Sequence, residues 1–248
     1  MNIMDEVTHR PWPIVSKNWI IRQSWSNLLF THWPISVDLL RPHIPSSLKI
    51  DTFEGTAWLG VVVFIMEGIY LRGLPALSLT PKFAEINVRT YVQYKGKPGV
   101  FFMSLDVGDW ASLMIAKRWF RLPYKAAQIS FRKDGQTVFC QSLRKGKSKV
   151  PIGFHTNYIP DSKVYFTKKE MFDYWLTERY CFFSTDQRGK IYCGEIHHQP
   201  WPLQKVDIEI CGNSLFTPFQ LDLSAEKPIA HFSRGLDSTF WNIKRLDW

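Results

Sequence analysis

Residues 83–94, FAEINVRTYVQY, alternate with a period of two over their whole length, and that period suits a strand and no helix. Ala84, Ile86, Val88, Thr90, Val92 and Tyr94 fall on one side, and Phe83, Glu85, Asn87, Arg89, Tyr91 and Gln93 on the other. The first side suits a core. The second aligns a carboxylate, an amide, a guanidinium and a phenol, and it is either a wet surface or the lining of a polar cavity. Glu85 and Arg89, four residues apart on a strand, have Cα atoms roughly 13 Å apart, so each needs a partner from another strand.

Other segments repeat the pattern. KGKPG at 95–99 returns the chain through VFFMSLDV as an antiparallel hairpin. LKIDTF and TAWLGVVVFIM read as a second hairpin turned at Glu54-Gly55, and the latter run is apolar on both faces, as in a central strand. YKAAQISFRKDGQTVFCQSLRK gives a third, turned at Asp134-Gly135, and CFFSTD, IYCGEIHH, LQKVDIEI and PIAHFSR supply further strands. The residues ahead of Ser36 read as a Trp-rich entry segment and 71–82 as a Pro- and Gly-punctuated loop.

Helices are predicted over 36–43 behind an Ser36 N-cap, over 109–120 behind Asp109, and over 168–178 behind a Thr167/Glu170 capping box. The 18 Phe, 11 Trp and 9 Tyr favour half-buried pleated surfaces. The expected fold class is therefore mainly β with a few helices: a single large antiparallel sheet closed into a barrel, with peripheral helices. No repeat or linker divides the chain, so one domain over residues 1–248 is expected.

A net charge of +9 permits attraction to polyanions, but the basic run RKGKSK at 144–149 has no interleaved aromatics and reads as a solvated hairpin tip, so no specific nucleic-acid binding is expected. Cys140, Cys181, Cys193 and Cys211 form no CxxC pair and read as free buried thiols. Glu195 and His197 share a strand face beside His198, which is one ligand short of a zinc site, so neither metal nor cofactor is expected. The N-terminus lacks a secretory pattern and the longest apolar run, Ala57 to Met66, is about half of a membrane span, which points to a cytoplasmic protein without membrane insertion. The oligomeric state is left open.

FTHWPI, IPSSLKIDTFEGTAWLGVVVF, FAEINVRTYVQYKGKPGVFF, LPYKAA, WLTERY and HHQPW, spread over residues 19–210, together resemble the YqjF-like family of uncharacterised proteins, which is similar in fold to acetoacetate decarboxylase. The resemblance implies an acetoacetate decarboxylase-like β-barrel with a central cavity. In that decarboxylase a Pro-Lys-Lys run supplies a Schiff-base lysine. The matching run here is Pro123-Tyr124-Lys125, which puts Tyr124 at the nucleophile's place and turns Lys125 to the opposite face. A tyrosine forms no imine, although its phenol can donate a hydrogen bond or act as an acid or base.

The resemblance thus implies that Glu85, Arg89 and Tyr124 converge in one polar network as the catalytic candidates. Asn87, Tyr91, Gln128 and Lys125 are the ligand-binding candidates. The expected function is binding of a small anionic or carbonyl-containing molecule in a polar barrel cavity, and the enzyme version of it is lyase-like. A non-catalytic ligand-binding module is the first alternative, and a basic interaction protein for nucleic acid or a membrane surface the second.

Overall fold

A computed structural model describes residues 3–74, 82–108, 120–146, 150–186 and 188–246. The helix expected over 109–120 lies outside the described residues except for Phe120, as do the basic residues Lys147 and Lys149 and most of the loop expected at 71–82.

The strands are β1 (Ile21–Ile35), β2 (Lys49–Ile50), β3 (Ala57–Leu71), β4 (Phe83–Tyr94), β5 (Lys97–Val107), β6 (Tyr124–Asp134), β7 (Thr137–Arg144), β8 (Gly153–Pro160), β9 (Cys181–Thr185), β10 (Ile191–His198), β11 (Leu203–Asn213), β12 (Ile229–Phe240) and β13 (Lys244–Arg245). All belong to one 13-stranded sheet. The described α-helices are α1 (Val37–Leu40), which a 3-10 turn at Arg41–His43 continues, and α2 (Phe172–Thr177). Among the described residues no helix is long and apolar enough to cross a membrane.

Hydrogen bonding closes the sheet on itself twice. One ring of nine strands runs β1-β3-β4-β5-β6-β7-β8-β11-β12. A second circuit runs β1-β3-β4-β5-β9-β10-β12, through the additional pairing of β10 with β12. The strands β12, β1, β3, β4 and β5 serve both. Those shared strands have two interiors to fill. Leu29, Val61, Val63, Ile86 and Val88 pack in one core with Cys140, Phe154, Tyr158 and Phe232, whereas Phe30, Val62 and Phe64 face the other way. The apolar character of both faces of β3 follows from this placement.

The sheet is mostly antiparallel, but not wholly as the sequence suggests: β5 pairs parallel with β6 and with β9. Parallel neighbours need a long crossover, and the segment between Val107 and Tyr124 provides one. The Lys95-Gly96 turn holds both residues at positive φ, as a tight hairpin requires. Glu54-Gly55 is likewise a positive-φ turn, but it closes only a Phe53–Thr56 bridge, and β2 pairs instead with β4. The third hairpin turns one residue later than expected, at Gly135-Gln136, because Asp134 still pairs with Thr137.

β1, a 15-residue strand, replaces the expected entry segment. Its alternation is broken by irregularities between Arg22 and Ser24 and between Ser26 and Leu29, with Asn27 at φ 52°. The second break reverses parity, so that Gln23 and Trp25 before it, and Leu28 and Phe30 after it, all face one cavity. β8 also went unread. Cys140, Cys181 and Cys193 are buried as expected, but Cys211, on β11, is exposed. α1 starts as expected, with the Ser36 hydroxyl accepting from the Asp38 amide at 3.2 Å. α2 starts later than the capping box implies, because a turn from Lys168 to Met171 intervenes and Met171 stands at the N-cap.

Gly235 sits opposite Ser26 at this irregular point of β1, with φ +130°, and a Cβ there would lie 2.0 Å from the Trp25 carbonyl oxygen. Gly235→Ala is expected to lower the unfolding free energy by roughly 3 kcal/mol, strain and overpacking combined. Gly212→Ala, where nothing lies within 4 Å, should change it by less than about 1 kcal/mol. Chemical denaturation of the two variants checks the difference.

Candidate functional site

The second circuit encloses a cavity of about 190 Å³. β4 contributes Phe83, Glu85, Asn87 and Arg89 to its wall, so the polar face of the strand points inward. The opposite face packs on the core of the nine-strand ring and not beneath outer helices. Tyr124, the first residue of β6, also lines the cavity.

Three other sequence candidates lie elsewhere. Tyr91 is wholly buried below Arg89, and its hydroxyl donates to the Leu176 carbonyl at 2.7 Å. Lys125 and Gln128 are exposed. Lys125 points away from Tyr124, as strand parity requires. Gln128 shares the parity of Tyr124, but β6 lies along β5 only from Tyr124 to Ala126 and then pairs with β7, outside the cavity circuit.

Glu85 and Arg89 make no ion pair with each other among the described residues, and they belong to different clusters. Glu85 lies with Asn87, Asp106 and Tyr124. Burial pushes its pKa up to about 8; the Asn87 hydrogen bond opposes the shift and the Asp106 charge adds to it. Burial, and then Glu85, raise the Tyr124 phenol well above its ordinary value, so it is a donor and not a phenolate. Asp106 itself is held by Arg144, whose Nε donates to both carboxylate oxygens at 2.8 and 2.9 Å. The first residue of the basic run is thus turned inward and is not part of a solvated tip.

Arg89 sits at the other end. Its guanidinium carbon lies 5.4 Å from the Phe30 ring centroid and 5.9 Å from that of Tyr91. Its Nε and Nη2 have no hydrogen-bond partner among the described residues, and no carboxylate pairs with it. Burial lowers its pKa, with the Arg179 charge adding to the shift and Tyr91 opposing it. Burial, then Arg89, hold the adjacent His32 imidazole well below its ordinary value, hence neutral. Gly60 pairs with both Arg89 and His32; a Cβ there would sit 3.4 Å from Arg89 Cγ and 3.2 Å from His32 Cδ2. The glycine that interrupts the apolar run of β3 makes room for the His32 ring beside the arginine.

Sequence reasoning missed Arg179. It follows α2, lines the cavity, and stands 4.7 Å from the Tyr91 ring centroid, so both guanidiniums flank one ring. Its Nη1 donates to Asp51 at 2.6 Å and its Nε to the Trp175 carbonyl at 2.8 Å, while Nη2 has no partner. The signal in the sequence was the pair Glu178-Arg179 immediately before the apolar run YCFF. Glu178 is equally buried, accepts from the Trp201 amide at 2.8 Å and from the Tyr180 hydroxyl, and is pushed by burial up to about 7.

His198 lines the cavity beside Trp201, whereas His197 contacts the Ile3 carbonyl at 2.8 Å and the Arg10 guanidinium at 3.3 Å. Glu195 accepts from Lys97, from Trp12 at 3.1 Å and from Arg10 at 3.5 Å. Among the described residues no three His, Cys, Asp or Glu side chains converge as metal ligands.

Residues 22–237 match the family of uncharacterized conserved proteins called DUF2071. The chain belongs to that family. A relative in sequence, uncharacterized protein YqjF of Bacillus subtilis strain 168, is 38% identical over 227 residues, which cover 92% of this chain and 93% of that protein.

The fold is shared more widely than the DUF2071 sequence. Enduracididine biosynthesis enzyme MppR complexed with pyruvate superposes with a TM-score of 0.62 at 10% identity, covering 94% of this chain and 92% of that one. An acetoacetate decarboxylase-like enzyme from Sphingomonas wittichii RW1 gives 0.62 at 13% identity, with 93% and 94% covered. Acetoacetate decarboxylase from Legionella pneumophila gives 0.59 at 15% identity, with 100% and 96% covered. The expected acetoacetate decarboxylase-like fold of this DUF2071 chain is thereby shown.

The raised pKa of Glu85 sets a pH dependence. Between the unfolded carboxylate value of about 4.3 and the folded value of about 8, the folded chain keeps a proton that the unfolded chain releases. Stability therefore falls as pH rises through that window. Glu85→Gln mimics the protonated group, so its stability relative to wild type should grow from pH 5 to pH 8 by a few kcal/mol in order of magnitude. Denaturant midpoints at the two pH values check this.

Proposed function

We propose that the cavity binds a small organic anion, with the charged group at Arg89 and Arg179 and the opposite end presented to Glu85 and Tyr124 for proton transfer. The observation that carries this reading is Arg89. A half-buried cation without a counter-ion is costly to fold around, and it lines a cavity whose described wall holds no carboxylate at that end. An anionic ligand supplies the missing partner through charge-assisted hydrogen bonds. The fold neighbour whose structure contains pyruvate, a carboxylate, supports an organic anion as the ligand here.

If the anion is transformed, the chemistry is acid–base and lyase-like. Glu85 lies close to Tyr124, and a carboxyl group that titrates near neutrality gives and takes protons readily. Imine formation has no support, since no lysine lines the cavity among the described residues and Lys125 is exposed. A binding module without chemistry is the second reading, favoured by the tyrosine that occupies the lysine's place.

Thermal unfolding with a series of monocarboxylates and their methyl esters tests the proposal. At a concentration a hundredfold above Kd, a bound acid adds about 2.7 kcal/mol of stability. The acids should stabilise and the esters should not. Arg89→Met should not respond to the acids, and without ligand it should be more stable than wild type by about 2 kcal/mol, having lost an uncompensated charge. Equal responses to acid and ester, or an unchanged response in Arg89→Met, would overturn the reading.

A further inference from the structure

We infer that the ligand carries a single negative charge at one end of an aromatic-sized apolar body, and is not a small polar oxo acid or a dicarboxylate. This rests on the reading of Arg89 given above and adds the substrate class to it.

The charged end is fixed by the two guanidiniums, which lie 5.9 and 4.7 Å from the same Tyr91 ring. The other end is marked by Glu85 and Tyr124, and the Cα atoms of Glu85 and Arg89, four residues apart on β4, are separated by roughly 13 Å. A three-carbon acid seated on Arg89 does not span that length.

The wall between the two ends is mostly apolar, with Asn87, Gln23 and His198 as its polar members. Phe30, Phe64, Phe102, Leu105 and Phe182 line it, with Trp25 stacked on Trp201 at a centroid distance of 5.8 Å and an interplanar angle of 10°. A hydroxylated or charged body would lose water against these rings and find little to replace it. An aromatic body gains both apolar burial and ring contacts.

The far end excludes a second charge. Glu85 and Asp106 are its acidic groups, Arg144 is committed to Asp106, and Lys125 is exposed on the other face of β6. A carboxylate placed there would be desolvated without a cation to meet it.

Isothermal titration calorimetry of the full chain with four probes decides the matter: pyruvate, 4-acetylbenzoate, methyl 4-acetylbenzoate and terephthalate. The expected result is that 4-acetylbenzoate binds at least about tenfold more tightly than pyruvate, because it buries a ring. The same margin is expected over its methyl ester, which lacks the charge that pairs with Arg89, and over terephthalate, whose second carboxylate would be desolvated without a cation. Pyruvate binding as tightly as 4-acetylbenzoate would overturn the apolar-body inference and leave the anion reading standing. Terephthalate binding as tightly would overturn the single charge in the same way. The ester binding as tightly as the acid, or neither pyruvate nor 4-acetylbenzoate binding at all, would overturn the anion reading and this inference with it.

Discussion

β4 is shared by two closed circuits of strands, so from Glu85 to Val92 both of its faces look into protein. That constraint orders much of the rest. The face with Ile86, Val88 and Val92 completes a hydrophobic core of the usual kind. The face with Glu85, Asn87 and Arg89 cannot be packed shut, because close-packing charged groups against apolar walls leaves them neither hydrated nor paired. A cavity forms instead, and each polar residue in it either finds a partner, shifts its protonation, or stays unpaired. Asn87 serves Glu85, Glu85 holds its proton up to about pH 8, and Arg89 has Tyr91 beside it but no counter-ion among the described residues.

An arginine left in that condition works against stability, and buried groups of this kind mark functional sites more often than ordinary cores. Gly60 lies between Arg89 and His32, and a residue with a Cβ at that point would press on the neutral His32 imidazole. The same spatial logic holds at Tyr124. It stands where the resemblance to the decarboxylase places a nucleophilic lysine, and burial beside Glu85 keeps it a neutral donor. The DUF2071 chain shares its architecture with the decarboxylase-like structures.

The polar face of β4 was legible because the strand has uninterrupted alternation. β1 was not, for the converse reason: its two irregularities and the left-handed Asn27 shift the phase, so that no single period describes it, although both halves serve one cavity. Gln128 was misplaced because parity was carried along β6 past the point where the strand leaves β5. Arg179 was invisible to any periodic reading, since it lies between a helix and a strand and reaches the site only through tertiary closure. Alternation reports which residues share a face; it does not report which circuit encloses that face. The pairing of charge with cavity at Arg89 needed both.

The central claim is that Arg89 is an anion-binding group in the cavity of the second circuit. A crystal structure of the protein soaked in 4-iodobenzoate tests it most directly, because the iodine locates the ligand by anomalous scattering. The account predicts an iodine peak inside the cavity between Trp25 and Phe182, with the carboxylate about 2.8 Å from the Arg89 guanidinium. A cavity that holds only water, with Arg89 swung over to pair with Glu85, would contradict it.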